Sequence, residues 1–197
     1  MSAIRWINIT DSTNNEARRR FSRLDNLSVI CARKQTEGHG QGDHTWNSAP
    51  GKNLTFSVVL KFGRTLLATD GILITCIATL GIRDYLLRKG IEARVKWPND
   101  IWVDDKKICG ILIENTLEGV HINGSIIGIG LNLNQKHWPD DIPNPISVSN
   151  LKGRFYCRRL EMRRLYNNIR RRYRMFLSND GRKKLQEEFG KVVFRLP

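Results

Sequence analysis

The side chains best suited to chemistry in this sequence are those that could hold an anion. Gly38, Gly40 and Gly42 interrupt a polar run, QTEGHGQGDHTW, over 35–46. Glycine permits positive φ and lets backbone N–H groups approach a ligand, so such a loop can cradle a phosphate or carboxylate. Lys107 stands at the start of a strand-like run, and Asn99 and Asp100 form a polar corner upstream of it. Ser12, Thr13 and Asn14 precede a helical pattern, where hydroxyls and free N–H groups meet. The run SIIGIGLNL over 125–133 carries Gly128 and Gly130 inside a strand pattern. Glycines there point to a bulge or to a close-packed group, either a ligand or a crossing helix. Together these residues suit an anionic, nucleotide-like ligand, with positive potential where phosphate charge sits or develops. Each also has a plain structural counterpart: helix capping at 12–14, a flexible surface loop at 38–42, and a β-meander with solvated turns at 96–114.

Other chemistries find less support. His39, His44, His121 and His137 have no fixed-spacing partners, so neither a Ser-His-Asp nor a Cys-His arrangement is indicated. Cys31, Cys76, Cys109 and Cys157 are far apart without C-x-x-C spacing, which favours reduced structural thiols over disulfides or a zinc site. No cluster of metal ligands is evident, although nucleotide phosphates would bring Mg²⁺ with them.

The elements that must position these residues follow from periodicity. Pro98 fixes its own φ and biases Trp97 to extended backbone, so one strand ends at Lys96-Trp97 and turns at Asn99-Asp100. A short strand over Ile101–Val103, a turn at Asp104-Asp105 and a β-branched strand over Ile108–Glu114 follow. This would set Asp100 and Lys107 at the mouths of neighbouring strands. Strands are also expected over Ile4–Ile9, Leu27–Ala32, Asn53–Phe62 and Ser125–Leu133. Helices are expected from an N-cap at Asp11, Ser12 or Thr13 through Glu16 to about Leu24, from about Thr65 to Lys89, near Ser147–Leu151, over Arg158–Leu177 and over Gly181–Phe189. The terminal VVFRLP is strand-like, with nothing after it to pair with.

At 197 residues, 40% hydrophobic and 26% charged, the chain reads as an ordinary globular protein. The absence of an apolar run long enough to span a bilayer, or of a leader-like N-terminus, makes a cytoplasmic location the expectation. Its net charge of +14 is uneven: residues 151–197 hold 15 Lys and Arg against 4 Asp and Glu, a surplus of +11. That asymmetry raises an acidic partner, whether nucleic acid, an acidic protein or a polyphosphate substrate, against the plainer reading of a solvated basic helix face.

Taken together, several motifs resemble the biotin–protein ligases, also called biotin–[acetyl-CoA-carboxylase] ligases. They are STN at 12–14, Q-x-x-G-x-G-Q at 35–41, Trp46, PGKNLTFS at 50–57, KWPND at 96–100, KICGILIE at 107–114 and GIGLNLN at 128–134, in the family's order. The resemblance implies an α+β fold with a central mixed sheet flanked by helices, like the class II aminoacyl-tRNA synthetase core. Its motifs cover about residues 8–150, and it implies a catalytic domain over about 1–190, with basic helices over about 154–190. It also implies ATP-dependent attachment of biotin to a lysine of a carboxylase's acceptor domain through biotinyl-5′-AMP, with ATP and biotin as substrates and Mg²⁺ alongside ATP. Lys107 matches the family lysine at the biotin carboxylate and α-phosphate. Ser12, Thr13, Asn14, Gln35, Gly38, His39, Gly40 and Gln41 map onto biotin and adenylate contacts. Trp46 would wall the adenylate, Asn99, Asp100 and Asn132 would shape the nucleotide side, and Gly110, Gly128 and Gly130 belong to the same motifs. Lipoate–protein ligases share the fold and are the alternative, and a non-enzymatic, basic nucleic-acid-binding protein is the rival from another class. The latter has no RNA- or DNA-module signature behind it. A monomer or a sheet-edge homodimer is expected.

Two departures from the family pattern matter. Gly38-His39-Gly40 stands where G-R-G is usual, replacing a permanently charged fork by a side chain mostly neutral at pH 7, and Asp43 adds a negative charge where glycine is common. Weaker retention of the adenylate is therefore expected; a His39→Arg variant with unchanged ligand affinity would remove that expectation. The usual N-terminal helix-turn-helix is not evident, so no repressor role is expected, and the family's small C-terminal β domain is expected to be absent or truncated.

Overall fold

Among residues 4–195, which the computed structural model describes, the elements run β1 (Ile4–Thr10), α1 (Thr13–Arg19), β2 (Val29–Gln35), β3 (Leu54–Lys61), α2 (Ile72–Leu87), β4 (Arg94–Lys96), β5 (Asp100–Val103), β6 (Lys106–Glu118), β7 (His121–Leu131), α3 (Val148–Lys152), α4 (Arg158–Phe176), α5 (Asn179–Val192) and β8 (Val193–Phe194). The strands join one mixed sheet in the order β1-β2-β3-β7-β6-β5-β4-β8. The outer pairs β1·β2 and β4·β8 are parallel, whereas β2·β3, β3·β7, β4·β5 and β5·β6 are antiparallel. Two units divide the chain. One takes the residues up to Gly71 with Ile111–Leu131; the other takes Ile72–Gly110 with the residues from Asn132 onward. None of the described helices is long and apolar enough to cross a membrane.

In the first unit, β3 reads LTFSVVLK and is buried along almost its whole length, as a strand flanked on both sides must be. Its eight-residue register with β7 sets Ser57 opposite Gly128 and Thr55 opposite Gly130. A core of Ala17, Ile30, Val59 and Ile126, with Ile7, Phe21 and Leu24 against it, seats α1. Ser12 caps that helix by accepting from the Asn14 N–H, which leaves the next side chains directed by the cap rather than by solvent.

The long helix expected from Thr65 begins only at Ile72. Leu66 is fully buried, so its apolarity mimics the helix period, but its backbone is engaged elsewhere. Leu66 O accepts from Ile122 N at 2.8 Å, and Ala68 N donates to Val120 O at 2.8 Å. A bridge at Leu67·His121 and a short 3₁₀ turn over Ala68–Asp70 complete the detour.

The second unit is organised by α2 and α4. On α2, twelve of sixteen residues are buried, as a helix covered on most sides requires. The apolar stripe Met162, Leu165, Ile169, Tyr173 and Phe176 of α4 is buried as its spacing predicts. Gly81 permits close approach: a Cβ there would lie 2.8 Å from Ile169 Cα. The same helix pair holds two buried ionic groups. Arg172 donates to both oxygens of Asp84 at 2.6 and 2.8 Å. Glu161 accepts from Tyr85 at 2.7 Å and pairs with Lys89 at 2.6 Å. Burial pushes the Glu161 carboxyl up, but Lys89, Tyr85 and Arg164 outweigh it and hold the group below the usual carboxylate range.

The strand expected in the terminal VVFRLP pairs with an earlier one: Val193 and Phe194 lie parallel to Val95 and Lys96 of β4. Leu196 and Pro197 of that run lie outside the described residues.

Candidate functional site

Each unit gathers one set of the residues singled out above. In the first unit they form a closed chain of contacts. Thr13 N donates to Gln35 Oε1 at 2.8 Å, which joins the start of α1 to the end of β2. A Cβ on Gly38 would lie 2.5 Å from Gln35 Nε2 and 2.6 Å from Trp46 O, and Trp46 N donates to Gly38 O at 2.8 Å. The Trp46 indole lies flush on Gly130, where any Cβ would fall among its ring atoms. Two residues earlier, a Cβ on Gly128 would lie 2.5 Å from Asn14 Oδ1, which returns the chain to α1. Gly128 and Gly130 are thus explained within the protein, one by a helix residue and the other by the loop tryptophan.

A buried polar relay fixes this arrangement. Ser57, fully buried, places its Oγ 2.8 Å from Thr13 Oγ1 and 2.5 Å from Asn14 Oδ1. Its single proton must go to the amide oxygen, which can only accept, so the Thr13 hydroxyl donates to Ser57. The Asn14 NH₂ then donates to Glu114 Oε2 at 2.7 Å, and Arg18 pairs with the other Glu114 oxygen. Every donor direction from Thr13 to Arg18 is set by this sequence of partners. Ser57 and Glu114 were legible only as parts of motifs, not as site residues. The signal for Ser57 was a lone hydroxyl in an otherwise buried strand; the signal for Glu114 was a carboxylate within the β-branched run.

The loop 38–45 is a miniature hairpin rather than an open coil. Gly40 N donates to His44 O at 2.6 Å, and His39 bridges Thr45. His39 Nδ1 sits 3.2 Å from Glu37 O, where the ring nitrogen must carry the proton to donate to a carbonyl. Gln41 and Asp43 are exposed at the hairpin tip and take no part in the closed chain of contacts.

In the second unit the expected strand mouths do meet. Lys107 Nζ pairs with Asp100 Oδ1 at 2.8 Å, the two side chains 33% and 18% exposed, so the ammonium is held yet reachable. Gly110 faces Asp100 across β5·β6. The backbone of Lys107 is gripped by the segment after β7: its N donates to Asn144 O at 2.8 Å, and its O accepts from Ile146 N at 3.1 Å. Asn132 Nδ2 also reaches that carbonyl at 3.4 Å, while Asn132 N donates to Ile108 O at 2.9 Å. Asn99 lies in the turn before β5, just after a cis Trp97-Pro98 peptide. Cys109 is fully buried next to this pair; burial, then Asp100, pushes its thiol well up, so it is not a nucleophile. Among the described residues no group of three or more His, Cys, Asp or Glu stands ready for a metal ion.

Residues 6–132 match the biotin/lipoate A/B protein ligase family. Among curated proteins, the bifunctional ligase/repressor BirA of Bacillus subtilis is 31% identical over 159 residues, covering 77% of this chain and 47% of its own length. The biotin–[acetyl-CoA-carboxylase] ligase of Paracoccus denitrificans is 35% identical over 128 residues, 63% of this chain and 52% of that protein. The chain therefore spans about half the length of these relatives. Among solved structures, the biotin protein ligase of Aquifex aeolicus in complex with biotin and ATP shares the fold, with a TM-score of 0.82 at 23% identity, over 98% of this chain and 79% of that one. With a polar relay at α1, a glycine hairpin and a clamped strand-end lysine all falling on matched motifs, the chain belongs to the biotin/lipoate A/B protein ligase family.

Proposed function

We propose that the protein attaches biotin to a lysine of a carboxylase's biotin-acceptor domain, using ATP and passing through biotinyl-5′-AMP. The observation that carries this reading is the Lys107-Asp100 pair, set on KWPND and KICGILIE and gripped through its backbone by 144–146. In the first step a biotin carboxylate oxygen attacks the α-phosphorus of ATP. A new O–P bond forms, the bond to the β-phosphate oxygen breaks, and pyrophosphate leaves. The Lys107 ammonium offsets the charge that builds on the phosphorus oxygens, and Asp100, 2.8 Å away, keeps it oriented. In the second step the acceptor lysine amine attacks the biotinyl carbonyl. The amide forms, AMP departs with the bonding electrons, and the amine loses its proton.

In this reading Ser12, Thr13, Asn14, Gln35, Gly38, His39, Gly40 and Gln41 serve the biotin and adenylate, and Trp46, packed on Gly130, walls the adenylate, with Gly128 and Gly130 part of the same floor. Asn99, Asp100, Gly110 and Asn132 shape the nucleotide side with Lys107. The set Thr13-Ser57-Asn14 supports a neutral, hydrogen-bonding ligand such as a ureido ring, because it presents donors and acceptors of fixed direction. Mg²⁺ accompanies the nucleotide. Residues to about 190 act as one catalytic domain with basic helices over 154–190, in the cytoplasm, as a monomer or a sheet-edge homodimer.

The test is incubation with biotin, Mg-ATP and a biotin-acceptor domain, following pyrophosphate release and acceptor labelling separately, with lipoate in a parallel arm. Biotin-dependent release and labelling are expected. Lys107→Ala should lower both by at least about 100-fold, the scale of losing one preorganised charge-stabilising donor. Lipoate turnover in place of biotin, or undiminished activity of Lys107→Ala, would overturn the assignment.

A further inference from the structure

The basic C-terminal region is not used by the ligase reading, and its charge is arranged rather than scattered. On α4, Arg159, Arg163, Asn167, Arg170 and Arg174 recur at steps of 4, 4, 3 and 4 residues. At about 100° per residue these five positions fall within roughly 80° of one another. Arg159, Arg163, Asn167 and Arg174 are exposed and Arg170 is half-buried. The stripe is about 22 Å long at 1.5 Å rise per residue. A second face, centred about 120° round the helix, is spent on the buried ladder Met162 to Phe176, so the helix cannot turn these arginines inward.

The arginines of α4 divide by partner. Arg164 pairs with Glu161, and Arg171 and Arg172 with Asp84. Among the described residues, Arg163, Arg170 and Arg174 form no ion pair with a carboxylate. The one carboxylate on α4, Glu161, is 1% exposed and faces Tyr85 and Lys89. No acidic side chain of this helix therefore offsets the stripe.

We propose that this arginine stripe is a binding surface for the phosphate backbone of duplex nucleic acid, read without regard to sequence. Charge complementarity carries the choice of occupant. A duplex presents about thirteen phosphate charges over 22 Å of axis, at one per roughly 1.7 Å, to a straight row of guanidinium forks suited to phosphate oxygens. An acidic protein is the other polyanion to weigh, but protein interfaces are built around a central aromatic or aliphatic anchor. The centre of this stripe is Asn167; of the exposed apolar residues nearby, Leu160 sits at its N-terminal end about 20° outside the arc, and Phe155 and Leu177 lie beyond the two ends of the helix. A single strand would want stacking aromatics within the stripe, and the aromatics of α4, Tyr166, Tyr173 and Phe176, are buried.

The experiment is fluorescence anisotropy of a labelled 25-base-pair duplex of random sequence with the full chain, as a function of salt. A Kd of about 10⁻⁶–10⁻⁴ M near physiological salt is expected. The slope of log K against log salt should be roughly −3 to −4 if each of four arginines meets one phosphate. Arg163→Gln/Arg170→Gln/Arg174→Gln should reduce that slope to about −1 and weaken binding at least 10-fold. Removing equal charge elsewhere, with Arg23→Gln/Arg33→Gln/Arg64→Gln, should change it little. Circular dichroism and melting of both variants confirm that the fold is retained. No binding at 50 mM salt, equal losses in the two triple variants, or binding to polyglutamate but not to the duplex would each overturn the proposal. The readout does not involve biotin, so it stands or falls apart from the ligase assignment.

Discussion

Replacing Gly81 by alanine sets two effects of opposite sign against each other on α2. Helix propensity alone favours alanine by about 1 kcal/mol in a helix interior. Packing opposes it, because the new Cβ would lie 2.8 Å from Ile169 Cα, 2.9 Å from Ile169 Cγ1 and 3.1 Å from Ile169 N. Two of these three atoms are backbone, so no rotamer change on α4 relieves them. Carbon atoms rest at about 3.5–4.0 Å, and the helices must part locally by roughly 0.7–1 Å. A gap of that size forfeits a quarter to a half of each dispersion contact it opens. Overpacking of this kind costs about 1–3 kcal/mol. Taking about 2.5 for the packing loss and subtracting the propensity gain leaves a net destabilisation of about 1.5 kcal/mol. In a chain of this size that lowers Tm by about 3–6 °C, measured by circular dichroism or calorimetry. Ile169→Ala should not rescue the variant, because it removes Cγ1 but leaves Cα and N in place. A rise of 2–4 °C for Gly81→Ala, as propensity alone demands, or recovery in the double variant, would show that the helices are not held at this distance.

Gly130→Ala should expel the Trp46 indole from β7 with little change in Tm, because the far end of a side chain gives way more easily than a backbone; a red-shifted, more quenchable tryptophan emission reads the change, and a native spectrum would refute the contact. Glu161 makes the second unit acid-sensitive. Its carboxyl is held below the ordinary 4.5, so its contribution is fully present above that pH and is lost as pH falls through the lowered folded-state value. Glu161→Gln should therefore flatten the fall in urea-unfolding free energy as pH drops below about 4.5, while costing about 3 kcal/mol at pH 7 by leaving Lys89 buried beside a neutral group; unchanged stability at pH 7 would mean that the group is not charged in the folded protein.

How much of this was legible beforehand depended on whether the deciding interaction was local. Short-range chemistry was readable: the Pro98 corner, the turn at Asp104-Asp105 and the helix over 158–176 emerge within a residue or two of expectation. The late start of α2 was not, because Leu66 and Leu67 have the composition of a helix. What removes them is hydrogen bonding to Val120 and Ile122, more than fifty positions away in sequence. The partner of β8 was not legible for the same reason, as periodicity shows that a segment is extended but not what it lies beside. Within the candidate site, Lys107 and the glycines were visible by type and spacing. Ser57 was hidden because a buried hydroxyl becomes meaningful only once Thr13 and Asn14 are known to face it. The grip of 144–146 on Lys107 was hidden inside a proline-rich connection that read as mere loop.

The outer strands of the sheet also bear on the protein's colloidal behaviour. At one margin, among the described residues, β8 contributes Val193 and Phe194, followed by Arg195. The other margin, β1, runs for seven residues and leaves Ile9 54% exposed. At low ionic strength a net charge of +14 keeps copies apart. Screening that charge should bring β1 margins into contact first, so turbidity that rises with salt and is suppressed by Ile9→Lys would mark this strand as the chain's principal route to fibrillar self-association.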